Sequence, residues 1–212
     1  MNIKLILSLL MNAAILVATI STVAISFKNP ENGTWSWESG KQVFRYFTTL
    51  SNLLAALAAA VLIVVELKYL GQAQWTIPYW ALVLKYVGTT AVMVTFLTVV
   101  FFLGPTNGYK FLFAGAGLYL HLIGPLLAMV SFCMLEATQP LAWTSAFLGL
   151  LPTAIYGIVY LILVIVIGKD RGGWEDFYGF NGGGHWKLSI VLMMAGTLVI
   201  CVLLTLLQHL FA

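Results

Sequence analysis

Residues 188–211 read LSIVLMMAGTLVICVLLTLLQHLF, an apolar run without a single aspartate, glutamate, lysine or arginine. About 20 such residues in helical conformation are enough to cross the hydrocarbon core of a bilayer. Five more stretches are predominantly apolar, at about 4–27, 43–65, 81–103, 111–135 and 143–167, with only Lys4, Arg45 and Lys85 charged among them. A backbone in lipid has to satisfy its own hydrogen bonds, so each is expected to be a helix. The expected fold is all-α, an integral membrane bundle of about six transmembrane helices forming one domain over residues 1–212.

Composition agrees with this reading. Hydrophobic residues make up 61% of the chain and charged residues 8%, where a soluble domain carries roughly a quarter charged residues. No water-facing surface can be built from such a chain. The net charge of +3 comes from scattered lysines and arginines, without the basic run that nucleic acid would call for. A slight basic excess suits a protein beside anionic lipid. The first apolar run is longer than the core of a typical signal peptide and is read as the first span. Cys133 and Cys201 lie inside apolar stretches and read as small buried hydrophobes.

Between the spans, residues 28–40 carry the turn signals Asn29-Pro30 and Asn32-Gly33. Trp75, Pro78, Tyr79 and Trp80 form an interfacial aromatic belt, and Gly104-Pro105-Thr106-Asn107-Gly108 turns the chain after the third span. Most basic residues lie on the side of the odd-numbered loops, and the positive-inside rule puts that side in the cytoplasm. Asn32-Gly33-Thr34 is a glycosylation acceptor in a secretory pathway only. In the second span Ser51, Ala55 and Ala59 repeat every four residues, as do Ala56 and Ala60. Small residues at that spacing let membrane helices approach closely.

Polar residues at depth are where function is best sought in a membrane protein. Lys85, Glu66, Glu136 and His209 lie near span ends and are expected to snorkel to the interface. Thr89, Thr90, Thr95 and Thr98 are expected to bond their own i−4 carbonyls. His121 is different, about ten residues into the fourth span. Pro125 at i+4 has no amide hydrogen, so the His121 carbonyl is expected to lose its helical partner. A second cluster opens the second span, where Thr48, Ser51 and Asn52 share a face with Thr49 alongside. Helix parity places both groups on the odd-loop side. A hydroxyl, an imidazole and an amide can serve as nucleophile, general base and oxyanion donor.

At these residues the chain resembles a known family. Tyr46-Phe47-Thr48-Thr49-Leu50-Ser51-Asn52-Leu53-Leu54 and His121-Leu122-Ile123-Gly124-Pro125-Leu126-Leu127 are similar to motifs of the androgen-induced membrane-protein family and its bacterial relatives. Members have six helices, and the animal ones are threonine hydrolases of fatty acid esters of hydroxy fatty acids. The resemblance implies a nucleophile at Thr48 or Thr49, a base at His121, and Ser51 and Asn52 as oxyanion or orienting groups. The animal pattern has an aspartate three positions after its threonine. Here that offset gives Ser51 from Thr48, or Asn52 from Thr49.

Other chemistries find no motif. The sequence has no Gly-x-Ser-x-Gly elbow and no His-Glu-x-x-His. No carboxylate lies at the centre of a span, which argues against proton-coupled transport. Asp170, Glu175, Asp176 and His185 have no standard metal-ligand spacing, so no metal and no cofactor is expected. In residues 168–187, Trp174, Phe177, Tyr178, Phe180 and Trp186 stand among glycines and are expected to form a lid. The expected partners are membrane lipids and a lipid ester substrate, and the expected location is the cell membrane. Two readings stay open from the residues alone: a lipid ester hydrolase, or a non-catalytic carrier or packing partner.

Overall fold

The computed structural model describes residues 2–28 and 40–212. The turn signals at Asn29-Pro30 and Asn32-Gly33 and the acceptor Asn32-Gly33-Thr34 lie outside them. Six helices are long and apolar enough to cross a membrane: α1 (Ile3–Lys28), α2 (Phe47–Leu67), α3 (Tyr79–Asn107), α4 (Ala116–Leu135), α5 (Trp143–Ile167) and α6 (Trp186–Phe211). The all-α bundle and its multi-pass membrane character are therefore present as expected, with span ends moved by a few residues.

Two of those moves matter. The α3 helix continues through Gly104 and Pro105, and the chain turns only at Gly108, whose φ of 88° is left-handed. The fourth span does not start at Phe111. A single helical turn, Tyr109–Leu112, is followed by a break at Phe113–Gly115, and α4 begins at Ala116. Gly115 has a φ of 51° there, a conformation that glycine adopts at little cost. His121 is thus the sixth residue of its helix, about 8 Å from the start at 1.5 Å per residue. The expected ten residues overstated its depth.

Pro105 and Pro125 are accommodated by a slip in register. Before Pro125, the Gly124 N–H bonds the Tyr119 carbonyl, five residues back instead of four. The carbonyl left without a donor by the proline is then that of Leu120, not that of His121. Asn52 of α2 satisfies it, Nδ2 donating at 3.1 Å. The same device recurs before Pro105, where the Gly104 N–H bonds the Val99 carbonyl. The orphaned Val100 carbonyl accepts from the Tyr109 hydroxyl at 2.8 Å.

Helices α1, α2 and α3 form the close-packed part of the bundle. Ser51, Ala55, Ala56 and Ala59 are all buried, and a Cβ added to Gly88 of α3 would meet the Ala55 backbone at 3.1 Å. The small-residue spacing in α2 is thus matched by a glycine on its neighbour. On the other flank, Tyr86 of α3 is buried and its hydroxyl reaches the carbonyls of Ala146 in α5 and Cys201 in α6, at 3.0 and 3.2 Å. Large apolar residues of α5 such as Phe147, Ile155 and Ile158 face outward, each about 60% exposed, as lipid-facing side chains should.

Gly149 of α5 sits at the meeting point of α3, α5 and α6. A Cβ there would lie 2.7 Å from Cys201 Sγ and 3.0 Å from Thr90 Oγ1. Gly149→Ala is expected to destabilise the bundle by about 1–3 kcal/mol, the range for overpacking. Gly157→Ala, which meets open space, should be neutral or better. Thermal unfolding of the two variants in one detergent would check the contrast.

Candidate functional site

The amino end of α2 carries the threonine cluster. Thr48, Thr49, Ser51 and Asn52 are all buried. The Thr48 carbonyl accepts from Ser51 Oγ at 3.1 Å and from Asn52 Nδ2 at 2.8 Å. Since Asn52 Nδ2 also donates to Leu120, both of its hydrogens are engaged, and it works as a strut between α2 and the slipped turn of α4. Ser51 spends its hydrogen on Thr48 and accepts from Thr95 Oγ1 of α3 at 2.9 Å. Thr95 therefore makes an interhelical bond, whereas Thr90 does bond its own i−4 carbonyl, that of Tyr86.

His121 lies beside that strut, one residue after Leu120. Its ring reaches back toward the odd-loop end, where Nδ1 meets the Leu112 carbonyl at 2.8 Å. A carbonyl only accepts, so Nδ1 carries the hydrogen and Nε2 is the basic nitrogen of the neutral ring. Side chains in a helix lean toward its amino end, and for α4 that is the end at which Thr48 sits. Asn52 and Leu120 share a level, and Thr48 is one helical turn nearer the odd loops. The break before Ala116 creates this arrangement, because it brings the Leu112 carbonyl over the ring.

The loop between α5 and α6 covers the same end. Phe177 packs on Tyr46, ring centres 4.8 Å apart, and the Tyr178 hydroxyl accepts from the Phe47 N–H at 3.0 Å. That N–H belongs to the first turn of α2, which has no side-chain cap of its own, so the loop supplies one. Tyr160 of α5 anchors the loop, with Trp174, Phe177, Tyr178 and Phe180 within 6.3 Å of its ring centre. Trp186 stands apart at the start of α6, with Lys187 Nζ 5.5 Å from its ring centre. The Asp176 carboxylate holds the loop's own shape, accepting from Tyr160 Oη, Phe180 N and Asn181 N. Burial pushes the Tyr178 phenol up to about 12, so it stays a neutral hydroxyl at physiological pH.

No protein-family profile matches the chain. None of the curated proteins and none of the solved structures matches it either. The resemblance to the androgen-induced family thus stands on the two short stretches around Thr48 and His121.

At the opposite end the structure overturns an expectation. Glu66, Lys85 and Glu136 do not snorkel; each is at most 1% exposed and points into the bundle. Position along a helix does not give the face, which is set by α1 packing across α2 and α4. His209 is half-buried in the last turn of α6, where Nε2 lies 2.6 Å from the Leu141 carbonyl and the ring stands edge-on to Trp143. Two open apolar grooves, of about 330 and 460 Å³, flank α1–α4 and α2–α3. Leu7, Met11 and Leu127 line the first and Val64 and Trp80 the second, with neither Thr48 nor His121 in either wall.

Tyr178→Phe should keep the ring packing and remove the acceptor for the Phe47 amide. Losing such a bond costs about 1 kcal/mol, or roughly fivefold in the local opening equilibrium. Hydrogen–deuterium exchange at the start of α2 should accelerate by that factor; unchanged exchange would mean the loop does not cap the helix.

Proposed function

We propose that the protein is a membrane-embedded hydrolase of lipid esters, with Thr48 as nucleophile and His121 as general base. The observation that carries this reading is the Asn52 strut. It ties the carbonyl of Thr48, at the loop-covered end of α2, to the turn of α4 that presents His121. A threonine hydroxyl is a poor nucleophile until a base takes its proton, and an imidazole with its hydrogen on Nδ1 carries its basic lone pair on Nε2.

In the proposed reaction His121 Nε2 takes the Thr48 hydroxyl proton, directly or through one water, as Oγ1 attacks the ester carbonyl. The proton passes to the departing alcohol, leaving an acyl-threonine. Water then attacks the acyl carbon, giving its proton to His121, and the acid leaves with Thr48 restored. Asn52, with both hydrogens engaged, has an orienting role, and Ser51 orients through Thr48 and Thr95. Thr49 is the neighbouring candidate for the nucleophile. The cell membrane is the proposed location, since the substrate is itself a membrane lipid.

Thr48 and Thr49 are only 5 and 6% exposed, so the loop at 168–185 has to lift to admit an acyl chain, as a lid does. Its rings suit the headgroup level, where an apolar body and a polar edge are both satisfied. The competing reading, a carrier or packing partner, needs no reactive hydroxyl.

A fluorophosphonate probe on the solubilised protein separates the two. Labelling should be lost in Thr48→Ala and kept in Thr197→Ala, a threonine that bonds its own helix. Loss in Thr49→Ala alone would move the nucleophile by one residue, and no labelling of the wild type would refute catalysis. His121→Ala should lower ester hydrolysis by about 10²–10⁴, the usual contribution of a general base. Replacing Phe177 and Phe180 by serine should raise KM for long-chain esters more than for short soluble ones. An equal effect on both would reduce the loop to an interfacial anchor.

A further inference from the structure

The even-loop end of the bundle holds a polar cluster that hydrolysis does not use. Ser8 and Asn12 of α1, Glu66 of α2, Lys85 of α3, and Ser131 and Glu136 at the end of α4 meet there, none more than 1% exposed. Loops close over them: Thr138 and Gln139 bond Ile77, and Gln208 of α6 bonds Gln139 and Leu141. The cluster is sealed and belongs to four helices at once.

Its hydrogens do not add up if both carboxyls are ionised. Glu136 Oε1 accepts from Lys85 Nζ at 3.2 Å, from Asn12 Nδ2 at 2.8 Å, and from Ser131. Lys85 also donates to Asn12 Oδ1. Ser8 Oγ lies 2.5 Å from Glu66 Oε1 and 3.1 Å from Glu136 Oε1, yet a serine hydroxyl has one hydrogen. One of those two contacts needs a hydrogen from elsewhere. Independently, Glu136 Oε2 is buried with no hydrogen-bond partner among the described residues. Two carboxylates against one ammonium would also leave a net negative charge out of reach of water, which proteins avoid.

We propose that Glu66 and Glu136 form a binding site for one exchangeable proton, bridged by the Ser8 hydroxyl. With the proton on Glu66, that acid donates to Ser8, Ser8 donates to Glu136, and Glu136 pairs with Lys85. Transferred to Glu136, it leaves Lys85 and Asn12 to serve the Glu66 side, where Asn12 Nδ2 already lies 3.3 and 3.4 Å from the two carboxylate oxygens. Either state is neutral overall. A metal cation fits badly, because the Lys85 ammonium and the Asn12 amide already aim hydrogens at the oxygens it would need. The other titratable group nearby is Cys133 of α4, also buried. Lys4 of α1 and Lys68 beyond α2 are outside the cluster and exposed, and His209 of α6 is turned to Leu141.

Infrared spectroscopy of the full-length protein in nanodiscs reads this directly. At neutral pH the wild type should show a protonated-carboxyl C=O band that shifts in D₂O and disappears as pH is raised. It should be absent in Glu66→Gln and in Glu136→Gln, where one carboxylate faces one ammonium, and stronger in Lys85→Gln, where two face none. The amide band reports whether each variant keeps its helices, and the wild-type titration stands without any variant. A wild type with no such band at neutral pH overturns the proposal, as does a band that survives in both glutamate variants. Loss of the band when choline is exchanged for sodium would overturn the proton in favour of a metal cation. None of these readings depends on Thr48 or His121.

Discussion

A carbonyl in hydrocarbon has to find its donor within the protein, since no water is there to supply one. That constraint organises this bundle. Pro105 and Pro125 each remove a donor from a membrane helix, and at each the preceding turn slips so that the carbonyl five residues before the proline faces a nitrogen with no hydrogen. The donors that satisfy them, Tyr109 and Asn52, come from outside the affected turn. Pro125 thereby does more than bend α4. It creates an acceptor that only a residue of α2 fills, and the bond registers α2 against α4 at the level of His121.

The same economy explains why polar residues sit where they do. At the odd-loop end, hydroxyls and an amide pair with each other and with backbone, and three of these bonds join two elements: Ser51 with Thr95, Asn52 with Leu120, Tyr178 with Phe47. At the even-loop end, charges do the joining. Removing one member of such a buried group costs more than the bond itself is worth, because its partners are left without alternatives. The two ends are built on different chemistry and share only the apolar middle, where Ala55, Ala59, Gly88 and Gly149 let backbones come close.

Much of this was legible in the sequence. Six apolar runs gave the helices, and the four-residue spacing of Ser51, Ala55 and Ala59 gave the face of α2 that packs inward. Helix parity correctly put the threonine cluster, His121 and the aromatic loop at one end. The charged cluster was not legible, because Glu66, Lys85 and Glu136 stand near span ends, where long side chains can reach water. Which way they turn depends on rotation about the helix and on what packs beside it. A clue was available in Ser8 and Asn12, polar residues one turn apart in the apolar first half of the first span. The break before α4 was hidden in a similar way, since residues 111–115 are as apolar as the helix that follows.

The hydroxyl of Tyr178 at the first turn of α2 ties the order of synthesis to the completion of the fold. A chain made from its amino end has placed α2 in the membrane long before residue 178 leaves the ribosome. Until then the Phe47 N–H in the first turn of α2 lacks the acceptor that the finished protein gives it. The start of α2 is therefore completed only when the α5–α6 hairpin arrives. On the proposed function, a nucleophile whose helix is capped that late would be silent in unfinished chains, and biogenesis itself would act as its safeguard.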